Sequence, residues 1–170
     1  MKRILPYLIV AIFLSACSAS KKATALWKPI TAANQSTVPN VLPSEFGLYE
    51  IQIDLLSKSL KGVGANEEEG IIIQFPDPDG NVGNFKVWRS SVVSEALLEK
   101  YPNLRAYRGF NIADQSDIRM ELPEAGLQVM VRNSGQAWFI APYHAEKQLY
   151  MAYYKSALPS NNQFWEGRIK

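Results

Sequence analysis

Cysteine and histidine are almost missing from this chain: of 170 residues, Cys17 is the one cysteine and His144 the one histidine. With a single cysteine no disulfide can form within the chain, so an apolar core must hold any fold. A single histidine excludes a His-Glu-x-x-His zinc site. His144 itself reads as a surface loop residue. Net charge is scarce too. The 18 basic and 16 acidic residues become 16 against 16 once Lys2 and Arg3 leave with the amino-terminal leader, which gives no electrostatic basis for binding nucleic acid. Long apolar runs are lacking as well: Ile4 to Leu14, broken by Pro6, falls short of the ~20 residues of a spanning helix. A phosphate-cradling loop is missing, because Gly62-x-Gly64 has neither the following glycine pattern nor the lysine. These absences lead to the expectation of a protein that is not an enzyme and carries no metal and no cofactor.

What stands at the amino terminus is a leader. Lys2 and Arg3 precede the apolar stretch, and Leu14-Ser15-Ala16-Cys17 fits the bacterial lipobox, which places residues 1–16 in a lipoprotein signal peptide and a lipid on Cys17. The lipidated Cys17 is the expected membrane contact. Ser18, where an aspartate would favour the inner membrane, points to the outer membrane of a bacterial cell envelope. From Ser18 to about Pro43 the chain is rich in Ser, Ala, Thr, Asn, Gln and Pro without a sustained apolar period, so residues 17–43 read as a lipidated tether. Residues 44–158 then read as one folded domain and 159–170 as a flexible tail.

Within the domain the dominant period is two. Leu48, Glu50, Gln52 and Asp54 alternate with Tyr49, Ile51, Ile53 and Leu55, and Leu55 to Leu60 reads as a helical turn or two before Gly62 and Gly64. Ile71 to Phe75 is a β-branched run stopped by Pro76 and Pro78, and Asn84 to Trp88 returns with Phe85 and Val87 on one face. Ser90-Ser91 supplies an N-cap for a short helix that ends at Tyr101-Pro102-Asn103, after which Leu104 to Tyr107 starts another strand. Ile118, Met120 and Leu122 alternate; the chain turns at Pro123 to Gly126, returns through Leu127, Val129 and Val131, and turns again at Asn133-Ser134-Gly135. Gln136 to Ile140 and Tyr150 to Lys155 complete the set. The fold class that follows is α+β, mostly an antiparallel meander of about six to eight strands with one or two short helices.

Two acidic stretches invite a metal and fail on chemistry. Asp77, Asp79 and Asn81 alternate like the first ligands of a calcium loop, but Gly80 arrives early and Trp88 stands where a bidentate glutamate belongs, so the stretch reads as a hairpin turn. Glu67-Glu68-Glu69 reads as a solvated loop, since consecutive residues do not converge their carboxylates.

One extended pattern goes further. Phe75-Pro76-x-Pro78-Asp79-Gly80, then Phe85-x-Val87-x-x-Ser90, then Leu97-x-x-Lys100-Tyr101-Pro102-Asn103-Leu104-Arg105-Ala106-Tyr107-x-Gly109 resembles the N-terminal pro-region of secreted bacterial reprolysin-like zinc metalloproteases. The resemblance continues through Ser116 to Leu122, Gly126 to Val131, Trp138 to Tyr143 and Tyr150 to Lys155, and begins as early as Leu26-Trp27-Lys28. Two positions depart from it: Arg89 replaces an acidic residue before the serine, and Ala141-Pro142 replaces Asp-Pro. The resemblance implies a non-catalytic role, masking a metalloprotease or assisting its folding, or binding another envelope protein. With the lipid on Cys17 no free cysteine is left in the mature chain to cap a zinc ion, so any inhibition works through another contact. The aromatic strand with Tyr150, Ala152 and Tyr154 is the expected partner-binding edge, because an unpaired strand can accept another chain. The alternative is a structural or interaction lipoprotein, or a truncated remnant of a secreted metalloprotease, with no protease partner.

Overall fold

A computed structural model describes residues 26–31, 42–91, 99, 105–123 and 126–159. These residues form nine strands: β1 (Trp27–Pro29), β2 (Gly47–Ile51), β3 (Ile71–Pro76), β4 (Val82–Arg89), β5 (Ala106–Asn111), β6 (Asp117–Glu121), β7 (Gln128–Arg132), β8 (Ala137–His144) and β9 (Leu149–Tyr154). One helix, α1 (Ile53–Leu60), follows β2, and single 3₁₀ turns follow β8 and β9. Residues 1–16, expected to be a signal peptide, Cys17 and the expected tail from Ser160 lie outside the described residues, as does all but Glu99 of the helix expected after Ser91.

All nine strands join one antiparallel sheet in the order β1-β2-β9-β8-β7-β6-β5-β4-β3. Six consecutive hairpins run from β3 to β9, and β9 then comes back to pair with β2, Leu48 opposite Met151. The α+β, mostly antiparallel expectation holds, with slightly more strands than the alternation had suggested. One added strand is β1. It lies in the stretch read as a tether, which is corrected here for Trp27–Pro29: Trp27 pairs with Ile51 and Pro29 with Tyr49. The composition of the tether is polar on average, but one tryptophan has enough apolar area to dock its neighbours.

The sheet curls until its two end strands meet. The Trp27 indole Nε1 on β1 donates to the Gln74 carbonyl oxygen on β3 at 2.7 Å, so a side chain spans the seam. Trp27 also sits against the rings of Phe75, Tyr49 and Tyr150 at centroid distances of 5.8, 6.3 and 6.4 Å. Period-two alternation points one face of every strand into the enclosed space, where Phe75, Phe85, Val87, Ile118, Val131 and Ile140 are buried. Gly109 is required where β5 crosses β4: paired with Val87, it faces the Lys86 carbonyl so closely that any Cβ would collide with that oxygen. A second apolar layer lies on the opposite face of β2, β8 and β9, where Leu48 and Met151 are buried, Phe46 stacks on Tyr143, and Phe139 stacks on Tyr153.

Helix α1 plugs one end. Ile53, Leu56 and Leu60 are spaced to share one face, and Leu56 and Leu60 are buried in the core while Leu55 looks outward. The helix is too short to persist alone. Its packing and the Gln52 N–H donating to the Leu26 carbonyl at 3.1 Å hold it in place. It begins earlier than the sequence reading, because β2 stops at Ile51 and Ile53 turns into the core as the first helical residue.

Candidate functional site

The expected partner-binding edge is the first correction. β9 is hydrogen-bonded on both sides, to β2 and to β8, so Tyr150, Ala152 and Tyr154 belong to an interior strand. Tyr150 is 2% exposed and its hydroxyl accepts the Leu127 N–H at 3.2 Å; Ala152 is fully buried. Burial pushes the Tyr150 phenol up, against a smaller lowering from that backbone bond. The Tyr154 hydroxyl donates to Asp79 Oδ2 at 2.5 Å across the sheet seam. That hydrogen bond, with burial and the charges of Asp79 and Asp77 adding to it, pushes the Tyr154 phenol up to about 12. The strand looked like an edge because it is the last and most aromatic in the chain. Its true neighbour, β2, is distant in sequence, and no local signal announces such a pairing.

The two edges are β1 and β3. Among the described residues no strand is hydrogen-bonded to the far side of β3, whose Ile72 is 61% exposed on a run of three isoleucines. The hairpin that ends β3 behaves as the sequence suggested. Asp77 accepts from the Asn81 N–H at 2.8 Å and from Asn81 Nδ2 at 3.0 Å, and Gly80 takes φ of 92°. Both carboxylates are thereby spent on the loop and on Tyr154. Among the described residues no group of three or more His, Cys, Asp or Glu side chains converges to hold a metal ion. The Glu69 N–H donates to Asn66 Oδ1 at 3.0 Å within an exposed loop. His144, expected on a surface loop, is instead the half-buried last residue of β8, opposite Leu149 at a β-bulge.

The end plugged by α1 carries a feature that the sequence reading missed. The inner positions of β4 run Phe85, Val87, Arg89 and those of β5 are Tyr107 and Gly109, with Arg105 just before the strand, so the alternation passes from apolar residues to arginine at this end. The Arg89 N–H donates to the Gly64 carbonyl at 2.8 Å, which draws the segment after α1 toward that rung. Between them opens a groove of about 680 Å³ lined by Leu60, Lys61, Arg89, Arg105, Tyr107 and Leu122, among others, with no carboxylate among its described walls. Burial pushes the Tyr107 phenol up, while the positive charges of Arg105 and Arg89 pull it part of the way back. Both guanidinium groups are therefore close enough to act on one hydroxyl. The signal was present in the sequence as a broken alternation. Arg89 is also one of the two departures from the pro-region pattern.

On the outer face of β4, the Arg108 guanidinium lies 5.7 Å from the Trp88 ring centre and Phe110 meets that ring edge-on at 6.0 Å. The buried Trp88 Nε1 has no hydrogen-bond acceptor among the described residues. Compared with protein-family models, with curated proteins and with solved structures, the chain matches none.

Proposed function

We propose that this chain is a non-catalytic envelope lipoprotein, anchored through Cys17, that binds a protein partner by strand addition at β3. The partner class follows from the resemblance to pro-regions: a zinc metalloprotease that the domain masks or helps to fold, or another envelope protein. The observation that carries the docking mode is the flank of β3 that has no strand neighbour among the described residues, where β3 ends the sheet order with Ile72 61% exposed. An extended segment of the partner can take backbone hydrogen bonds there and seat a side chain against Ile72. Trp27 reaches over the seam to the Gln74 carbonyl, and Ile72 is the large apolar side chain that β3 leaves exposed.

The test is a pull-down of the tagged full chain from its own cell-envelope extract, with zinc-dependent proteolysis assayed in the bound fraction and again after adding excess chain. Captured activity that falls as chain is added, and that Ile72→Lys fails to capture, is the expected result. Ile72 is exposed, so the lysine blunts the edge without touching the core. Capture of no protease, or equal capture by Ile72→Lys, overturns the docking proposal.

A further inference from the structure

We infer that the outer face of β3, β4 and β5 rests on the anionic surface of the bilayer that holds the Cys17 lipid; this builds on the anchor in the proposed function and not on the protease partner. Alternation turns Ile73, Phe75, Phe85, Val87 and Tyr107 inward, so Ile72, Val82, Lys86, Arg108 and Phe110 stand on the opposite face. Ile72 and Val82 are 61% and 55% exposed there. Ile112, just past β5, is 45% exposed and donates its N–H to the Asn84 carbonyl at 2.9 Å, which keeps it beside β4. Three of the five large apolar side chains exposed among the described residues thus share one face of three adjacent strands. Apolar side chains scattered singly on a surface are ordinary, whereas a group of them bordered by cations marks a contact.

The outer positions of these three strands carry two cations and no acid. Lys86 stands between Ile72 and Phe110, and Arg108 is opposite Trp88, with its guanidinium over that ring. Neither cation has an ion-pair partner among the described residues. On β6 and β7 the outer face is balanced, Asp117 and Glu121 against Arg119 and Arg132, with both arginines on Asp117. The acids in the turns beyond the strand ends are engaged as well: Asp77 by Asn81, Asp79 by Tyr154 and Asp114 by Ser116. Exposed aliphatic side chains enter the headgroup layer, and cations meet the lipid phosphates. The anchor brings the two surfaces together. Leu26, where the described chain begins, is nine positions after Cys17, a span of at most ~30 Å at full extension. Trp27 then bonds to the Gln74 carbonyl on β3, so the chain from the anchor joins the fold at the margin of this face. A contact that is weak in free solution is populated at the effective concentration so short a link imposes. Strand addition at β3 uses backbone groups in the plane of the sheet and stays open.

The experiment places the protein, purified from its own membranes, in vesicles of phosphatidylglycerol and phosphatidylcholine containing a lipid spin-labelled near the headgroup, and reads the quenching of a fluorophore on an introduced cysteine. One label sits at Asn84→Cys, exposed on the outer face of β4; the control sits at Lys155→Cys, exposed just after β9 and five strands from β4 in the sheet order. Mass spectrometry first reads the lipid on Cys17. A chain without it overturns the anchor, and the same labelled chain is then mixed with preformed vesicles, so the face is tested in either case. The expected result is quenching at residue 84 about threefold or more above that at residue 155, with most of the difference lost in Lys86→Gln/Arg108→Gln, in Val82→Ser/Ile112→Ser and in vesicles of phosphatidylcholine alone. None of these four side chains belongs to the core, so both double variants should melt within a few degrees of the parent. Equal quenching at the two positions, or quenching at residue 84 unchanged in either double variant, overturns the inference. Shielding of the residue-84 label by envelope extract but not by vesicles also overturns it, and assigns the face to a protein.

Discussion

Trp27 is the most informative residue to remove, because its neighbours in sequence read as tether and its neighbours in space are core. It is 7% exposed, its ring meets three buried aromatic rings, and its indole N–H bridges β1 to β3. Trp27→Ala removes one of the largest side chains in the core, a class of change that costs ~3–5 kcal/mol when the cavity stays open. Against a total stability of ~5–15 kcal/mol this is a large fraction. The melting temperature should fall on the order of 10–20 °C. Trp27→Phe keeps an aromatic ring at the seam but loses the bond to the Gln74 carbonyl, so it should cost about 1–2 kcal/mol from the bond and the smaller ring together. The assay is urea unfolding of the full chain with Cys17→Ser, followed by fluorescence and by far-ultraviolet circular dichroism. Lys28→Ala serves as the local control, since Lys28 pairs with Glu50 at 3.6 Å on the exposed side of the same strand and an exposed ion pair contributes ~0–1 kcal/mol. A loss below about 0.5 kcal/mol for Trp27→Ala, equal to that of Lys28→Ala, would refute the placement of β1 in the sheet.

Three further expectations follow from the packing. Gly109→Ala forces a methyl group against the Lys86 carbonyl, and a chemical denaturation curve should show a loss of at least ~1–3 kcal/mol; a neutral outcome would mean that β4 and β5 do not approach as closely as described. The Tyr154 phenol, pushed up to about 12 chiefly by its hydrogen bond to Asp79, has a folded value above the ordinary value near 10. Its contribution is therefore complete below about pH 10 and is lost as pH rises toward 12, so the parent should lose more stability across that window than Tyr154→Phe; parallel pH profiles would contradict the bond. Trp88→Phe removes a buried N–H that has no acceptor among the described residues while keeping a ring for Arg108 and Phe110. It should cost less than Trp27→Phe, in whose parent the indole donor is satisfied, and thermal melts of the two variants side by side decide it.

The legible part of the fold was the part set by neighbours in sequence. Alternation located β3, β4, β6, β7 and β9 to within a residue or two, since a half-buried strand writes its two faces directly into the order of its residues. The Asp77 to Asn81 turn was readable because proline, glycine and Asx side chains fix a reversal locally. β8 ran four residues beyond its expected end at Ile140, through Pro142 and on to His144. Its pairing with β9 carries that extension. The groove was barely legible: Arg89 and Arg105 are sixteen positions apart in number and mean nothing together until β4 and β5 pair.

By itself, then, the sequence determined the antiparallel class, the hairpin series from β3 to β9, and the apolar face that each strand turns inward. Those follow from side-chain periodicity and turn chemistry, which act over a few residues. Tertiary structure alone decided the rest: that β9 is interior, that Trp27 belongs to the core, and that two rim arginines share one groove. The first two follow from the pairing of β2 with β9, Gly47 opposite Ala152, a contact between distant parts of the chain whose energy comes from closing the sheet around a shared core and which no local pattern encodes.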